Sequence, residues 1–126
     1  MSGVAIVTGA GSGIGLSASK ALARDGWTVY DFSRTDRAAP NVKHIGCDIS
    51  DEAQVRAAIE AVMEREGRID ILVNNAGFGI SGAAELTESS ASHAQLELNV
   101  FGMDNVTRAV LPFMRAQGGG RIVCMS

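Results

Sequence analysis

Thr8-Gly9-Ala10-Gly11-Ser12-Gly13-Ile14-Gly15 joins a short apolar run, Gly3 to Val7, to an amphipathic stretch that reaches Asp25. Glycines this close together mark a place where the main chain must come near something that side chains would hold off. If the turn opens a helix, unpaired N–H groups gather at the helix start and favour an anion such as a diphosphate. Gly9 and Gly13 are the permissive positions, and Gly15 lets the helix lie close to the sheet. No Lys-Ser/Thr pair follows the glycines, which excludes a P-loop. A ligand-free turn would carry the same residues, so the motif needs its surroundings.

Those surroundings alternate short apolar runs with longer amphipathic ones, the pattern of an α/β fold with a parallel sheet. Gly3 to Val7 reads as a first strand. A helix from Gly13 to Asp25 follows, spaced by Leu16, Lys20, Ala21 and Arg24 and closed by Gly26. Trp27 to Phe32 and Val42 to Cys47 read as the second and third strands. The link between them, Ser33 to Asn41, contains Pro40 and has no room for a full crossover helix. Ser50 is read as the N-cap of a helix from Asp51 to Glu66 that buries Ala53, Val55, Ala58, Ile59 and Val62, with Gly67 as its stop. Ile69 to Asn74 is continuous and apolar, as a strand covered on both faces should be.

Beyond it, 77–82 reads as a loop and 85–88 as a short turn. A long helix from Ala91 to Gln117 is expected to break or bend near Pro112. Gly118-Gly119-Gly120 ends it, and Arg121 to Met125 is a fifth strand. The expected fold is a Rossmann-like, doubly wound parallel sheet of five strands in the order 3-2-1-4-5, a single domain over residues 1–126.

A net charge of −3 on 126 residues, with no dense basic cluster, argues against nucleic acid or an anionic membrane as a partner. The N-terminus has no basic region and its apolar run breaks at Thr8-Gly9, so it reads as neither signal peptide nor membrane span. A soluble, cytoplasmic protein is expected. The two cysteines, Cys47 and Cys124, lack metal-site spacing and are read as small buried hydrophobes, with no metal site.

The glycine spacing is GxxxGxG, and Thr8 to Gly15 resembles the TGxxxGxG signature of the short-chain dehydrogenase/reductase family. Asn74-Asn75-Ala76-Gly77 is similar to that family's NNAG motif. Asp48 falls where the family places an aspartate beside adenine. Asn99, in Leu98-Asn99-Val100, resembles its helix asparagine, and Gly119 to Val123 its fifth strand. Residues 74–82 with Glu85 resemble the members loosely called steroid-dehydrogenase-like.

The resemblance implies a dinucleotide cofactor and named roles. Backbone groups of Ser12, Gly13 and Ile14 would face the pyrophosphate, Asp48 and the Ile49 backbone would flank the adenine, and Asn75, Ala76 and Gly77 would line the riboses. Strand-end asparagines also serve simply to bridge neighbouring strands and loops. Ser33 stands where NAD-type members carry aspartate, and Arg34 where NADP-type members often carry arginine, so the sequence resembles the NADP type rather than the NAD type. Asp31 lies on the same strand face two residues earlier, and its depth points it to the glycine turn rather than to the ribose.

The family transfers a hydride between the nicotinamide and a small carbonyl or alcohol substrate. A tyrosine acts as acid/base, a lysine lowers its pKa, a serine holds the substrate oxygen, and the asparagine supports a relay water, here Asn99. The one tyrosine is Tyr30, and the lysines are Lys20 and Lys43, so no Tyr-x-x-x-Lys pair is present. Ser126 aligns with the first of the family's serine pair, one short of the catalytic one, and neither His44 nor His93 is placed to partner it. The expectation is the N-terminal half of an oxidoreductase, poorly stable or strongly associated alone and without turnover. A non-catalytic nucleotide-binding or association module is the alternative. In either case a homo-oligomer is expected through the helix that starts near Ala91.

Overall fold

In the computed structural model, which describes residues 3–11, 13–75 and 89–125 (89–100 as backbone only), every residue of β1 (Val4–Thr8) is buried. β1 lies in the middle of a parallel sheet ordered β3-β2-β1-β4-β5. It pairs on one side with β2 (Thr28–Ser33) and on the other with β4 (Ile71–Asn74). β3 (Lys43–Gly46) and β5 (Arg121–Cys124) form the outer strands. The expected strand order and parallel sense hold. The strands are shorter than the apolar runs because Trp27, Ile69 and Met125 lie beyond the paired residues.

Alternation along the strands sends successive residues to opposite faces. Val4 and Ile6 join Tyr30, Phe32 and Leu72 under α2 (Glu52–Glu66) and α3 (Ser89–Gln117). Ala5 and Val7 join Val29 and Val73 beneath α1 (Gly13–Arg24), which adds Leu22 and Ala23. The sheet is therefore wound on both faces. The buried face of α1 is Gly15 and Ser19, whereas Lys20, Ala21 and Arg24 of the expected spacing are exposed.

Three further expectations change. Asp51, not Ser50, caps α2. Its φ of −99° and ψ of 107° are extended, and its carboxylate accepts the N–H groups of Ala53 and Gln54. An aspartate at this position leaves Ser50 to bond Asp48 instead, at 2.7 Å from its hydroxyl. α3 is not interrupted at Pro112, the break half of the expectation, because packing of Val106, Val110 and Met114 into the core outweighs one lost helical hydrogen bond. Cys124 is exposed on β5, which among the described residues pairs only with β4; Cys47 is buried as expected.

Other expectations stand. The β2–β3 connection contains no helix. Gly67 (φ 77°) closes α2 by donating its N–H to the Met63 carbonyl. Gly118 (φ 89°) closes α3, with the Gly119 N–H on the Met114 carbonyl at 2.9 Å. The expected loop 77–82 and turn 85–88 lie outside the described residues.

Candidate nucleotide-binding site

In a parallel sheet of this order, the connections from β1 and β4 leave in opposite directions, and a crevice opens at the C-terminal ends of those two strands. Thr8 ends β1 there. Its hydroxyl donates to the Val73 carbonyl at 3.4 Å and accepts the Asn75 N–H at 2.9 Å. The Asn75 side-chain amide donates to the Gly9 carbonyl at 3.1 Å. The crevice is thus stitched across its mouth by side chains from both motifs that bracket it. Asn75 bridges strand and loop, as strand-end asparagines do.

Gly9 takes φ 69° and Gly13 φ 57°, the left-handed region that favours glycine. The Gly9 N–H goes to the Phe32 carbonyl at 3.0 Å, and the Ala10 N–H to Asp31 Oδ1 at 2.8 Å. At Gly15 a Cβ would lie 2.4 Å from the Gly9 carbonyl oxygen and 2.2 Å from Asn75 Nδ2, so only glycine fits. A Cβ at Gly11 would lie 2.8 Å from that of Arg37. Gly13 and Ile14 are exposed at the start of α1, and its first turn holds no carboxylate to compete for the positive end of the helix. Such a cradle suits a phosphate group.

The other predicted residues arrange themselves around this turn. Ser33 ends β2 and is half-buried, while Arg34 is exposed beside it. Asp48 follows β3. The Ser50 hydroxyl, then the Ser50 N–H, hold its carboxyl below the usual range, against burial, and the charge of Arg34 adds to the effect. Arg34 and Asp48 therefore feel each other across the ends of β2 and β3. The Ile49 carbonyl accepts from Asn105 Nδ2 at 2.9 Å, and the Ile49 side chain fills the space beside Gly102 of α3. Ser12, Ala76, Gly77, Ser126 and the side chains of His93 and Asn99 lie outside what is described.

Asn74 is 1 % exposed; its Nδ2 donates to Thr107 Oγ1 at 3.0 Å, while its Oδ1 has no hydrogen-bond partner among the described residues. Two residues escaped the sequence reading. Asn105 was one polar residue among several on a long helix. His44 was weighed only as a partner for Ser126, yet its Nδ1 lies 2.8 Å from Asp31 Oδ2. Asp31 faces the glycine turn, as its depth in the strand suggested. Among the described residues no acidic, histidine or cysteine cluster could hold a metal.

The short chain dehydrogenase family matches residues 3–126. The chain belongs to that family. Among its relatives, the 3-ketodihydrosphingosine reductase of Bacteroides thetaiotaomicron is 37 % identical over 124 residues, 98 % of this chain and 46 % of that protein. Oxidoreductase UcpA of Escherichia coli K12 is 39 % identical over 132 residues, 97 % of this chain and 50 % of its own length. A short-chain dehydrogenase from Streptomyces avermitilis superposes with a TM-score of 0.85 at 36 % identity, over 100 % of this chain and 49 % of that structure. A metagenomic short-chain oxidoreductase solved in complex with NADP gives 0.82 at 29 % identity, over 98 % of this chain and 60 % of that one. The short-chain dehydrogenase chain described here thus spans about half the length of the curated relatives it matches. Its relatives are oxidoreductases. No helix among the described residues is long and apolar enough to cross a membrane.

Proposed function

We propose that residues 1–126 form the dinucleotide-binding domain of an oxidoreductase that moves a hydride between NADP and a carbonyl or secondary-alcohol carbon. The observation that carries this reading is the turn at the mouth of the crevice, where Gly9 and Gly13 are left-handed and a Cβ at Gly15 would strike backbone. When bound, the nicotinamide gives or takes the hydride. Backbone groups of Ser12, Gly13 and Ile14 hold the pyrophosphate, and Gly9 and Gly15 clear its approach. Asp48 and Ile49 flank the adenine. Asn75, Ala76 and Gly77 line the riboses, and Asn99 supports a proton-relay water.

Ser33 and Arg34 meet the adenosine ribose. The planar, permanently charged guanidinium suits a 2′-phosphate better than free hydroxyls, which favours NADP over NAD. The NADP complex of a relative and the reductase name of another support the same direction. Two copies pair through α3, on which Phe101 is 57 % exposed. The free thiols Cys47 and Cys124 fit a reducing, cytoplasmic setting.

A second reading, nucleotide binding or subunit association without turnover, is favoured by Tyr30. This tyrosine, the one in the sequence, donates to Glu66 Oε2 at 2.6 Å, in the last turn of α2 and at the opposite end of the sheet from the glycine turn. Tyr30 thus ties β2 to α2. Calorimetric titration with NADP+ and NAD+, followed by assay of NADPH oxidation against a panel of ketones, separates the readings. Tighter binding of NADP+ is expected. Absence of binding to either nucleotide sinks the first reading and leaves only association, and binding without oxidation of NADPH by any ketone, when the assay is run on the whole protein that carries this domain, favours the second.

A further inference from the structure

Asp31 is fully buried, and a buried carboxylate needs its oxygens satisfied. Oδ1 accepts the Ala10 N–H at 2.8 Å. Oδ2 accepts the Ser33 hydroxyl at 2.7 Å and faces His44 Nδ1 at 2.8 Å. The imidazole donates to the carboxylate in the tautomer that carries its hydrogen on Nδ1. Asp31 and His44 are register partners on β2 and β3, and the His44 side chain is 15 % exposed. One carboxylate therefore ties together the glycine turn, the residue at the end of β2, and the outer strand.

We propose that His44 is a positioning residue for nucleotide selectivity: through Asp31 it keeps the one carboxylate on this face of β2 turned inward. This inference rests on the reading that the crevice takes NADP. Asp31 and Ser33 point to the same side of β2, so a carboxylate released from His44 has Ser33 and the ribose beyond it as its nearest outlets. There it would accept ribose hydroxyls and repel a 2′-phosphate. Held by His44, it stays committed to Ala10 and Ser33, and the Arg34 cation acts on the 2′ position unopposed by it.

The test is calorimetric titration of the full chain and its variants with NADP+ and NAD+, read as the ratio of the two dissociation constants. Removing a hydrogen bond to a charged group by His44→Ala should lower the preference for NADP+ about tenfold. His44→Asn places an amide N–H where Nδ1 was and should restore the ratio to within about threefold. In an Asp31→Asn background, His44→Ala should shift the ratio less than about twofold, because no charge remains to be released.

A merely structural His44 would weaken both nucleotides alike, leave the ratio unchanged and overturn the proposal. So would His44→Asn behaving like His44→Ala, or a full effect persisting without Asp31. If the unaltered chain binds neither nucleotide, the functional reading itself fails. An unaltered preference for NADP+ with an unresponsive ratio removes only the role of His44.

Discussion

Asn75 Nδ2 reaches the Gly9 carbonyl at 3.1 Å through the space that Gly15 leaves empty. The residue after β4 thus meets both ends of the glycine turn in one contact, 66 residues from Gly9 in sequence. Gly15→Ala should force the helix off the turn, because the new methyl meets a backbone oxygen that cannot rotate away. Overpacking of this kind costs about 1–3 kcal/mol. Nucleotide affinity should fall at least about tenfold, since the phosphate cradle shifts with the helix. Chemical denaturation and titration of one sample check both; unchanged affinity would mean that the cradle does not depend on this packing.

Asp70 anchors the other end of the sheet. Its carboxylate accepts the Val4 N–H at 2.8 Å and three bonds from two nitrogens of the Arg68 guanidinium. Arg68 first, and then Val4, hold the Asp70 pKa below its ordinary 3.8, against the opposing effect of burial. A carboxyl lowered on folding contributes stability above its unfolded pKa and loses it as pH falls through the folded one. Stability should therefore decline below about pH 4, and Asp70→Asn should flatten that decline. At pH 7 the same change should cost about 1–2 kcal/mol. Urea unfolding from pH 7 to 2.5 measures both, and an unchanged slope for the variant would assign the acid loss to other groups.

The sheet and its order were legible because hydrophobic runs and glycines report backbone constraints locally. The Thr8–Gly15 turn, the apolar β4 and the helix stops at Gly67 and Gly118 each carry their reason within a few residues. The site was legible where a role belongs to one position, such as Gly15 or Asp31. It was not legible where two strands must be aligned first. Asp31 meets His44 only through the β2–β3 register, which the irregular link from Arg34 to Val42 sets without a sequence signal. Ser50 and Asp51 were both competent caps. Asp51 takes the cap and Ser50 bonds Asp48, a division of partners that neither residue type announces.

Arg34 should show its role through charge. Exposed beside Ser33, it has a flexible stem and a fixed positive head. Arg34→Ala should weaken NADP+ by about tenfold or more, the scale of a lost charge-assisted hydrogen bond, and leave NAD+ within about twofold. Raising ionic strength should weaken NADP+ in the unaltered chain more than in the variant, since exposed charges are screened. Titrations at two salt concentrations decide this. Equal losses for both nucleotides would move the 2′-phosphate contact elsewhere, with Arg37 the next cation along the link.

The two cysteines should differ sharply in reactivity, although sequence gave no reason to separate them. The thiolate is the reactive form. Burial, followed by the neighbouring carboxylates of Asp48 and Asp51, pushes the Cys47 thiol up to about 11. Cys124 is exposed on the outer strand. A maleimide or disulfide reagent at pH 8 should therefore modify Cys124 first, with Cys47 slower by about a hundredfold or more until the chain unfolds. Peptide mass mapping of timed samples reads the two sites independently. Rapid labelling of both would mean that the end of β3 opens readily, loosening the segment that carries Asp48 and Ile49. Protection of both would mean that the free edge of β5 is covered in solution, which the accompanying molecular mass would reveal as self-association.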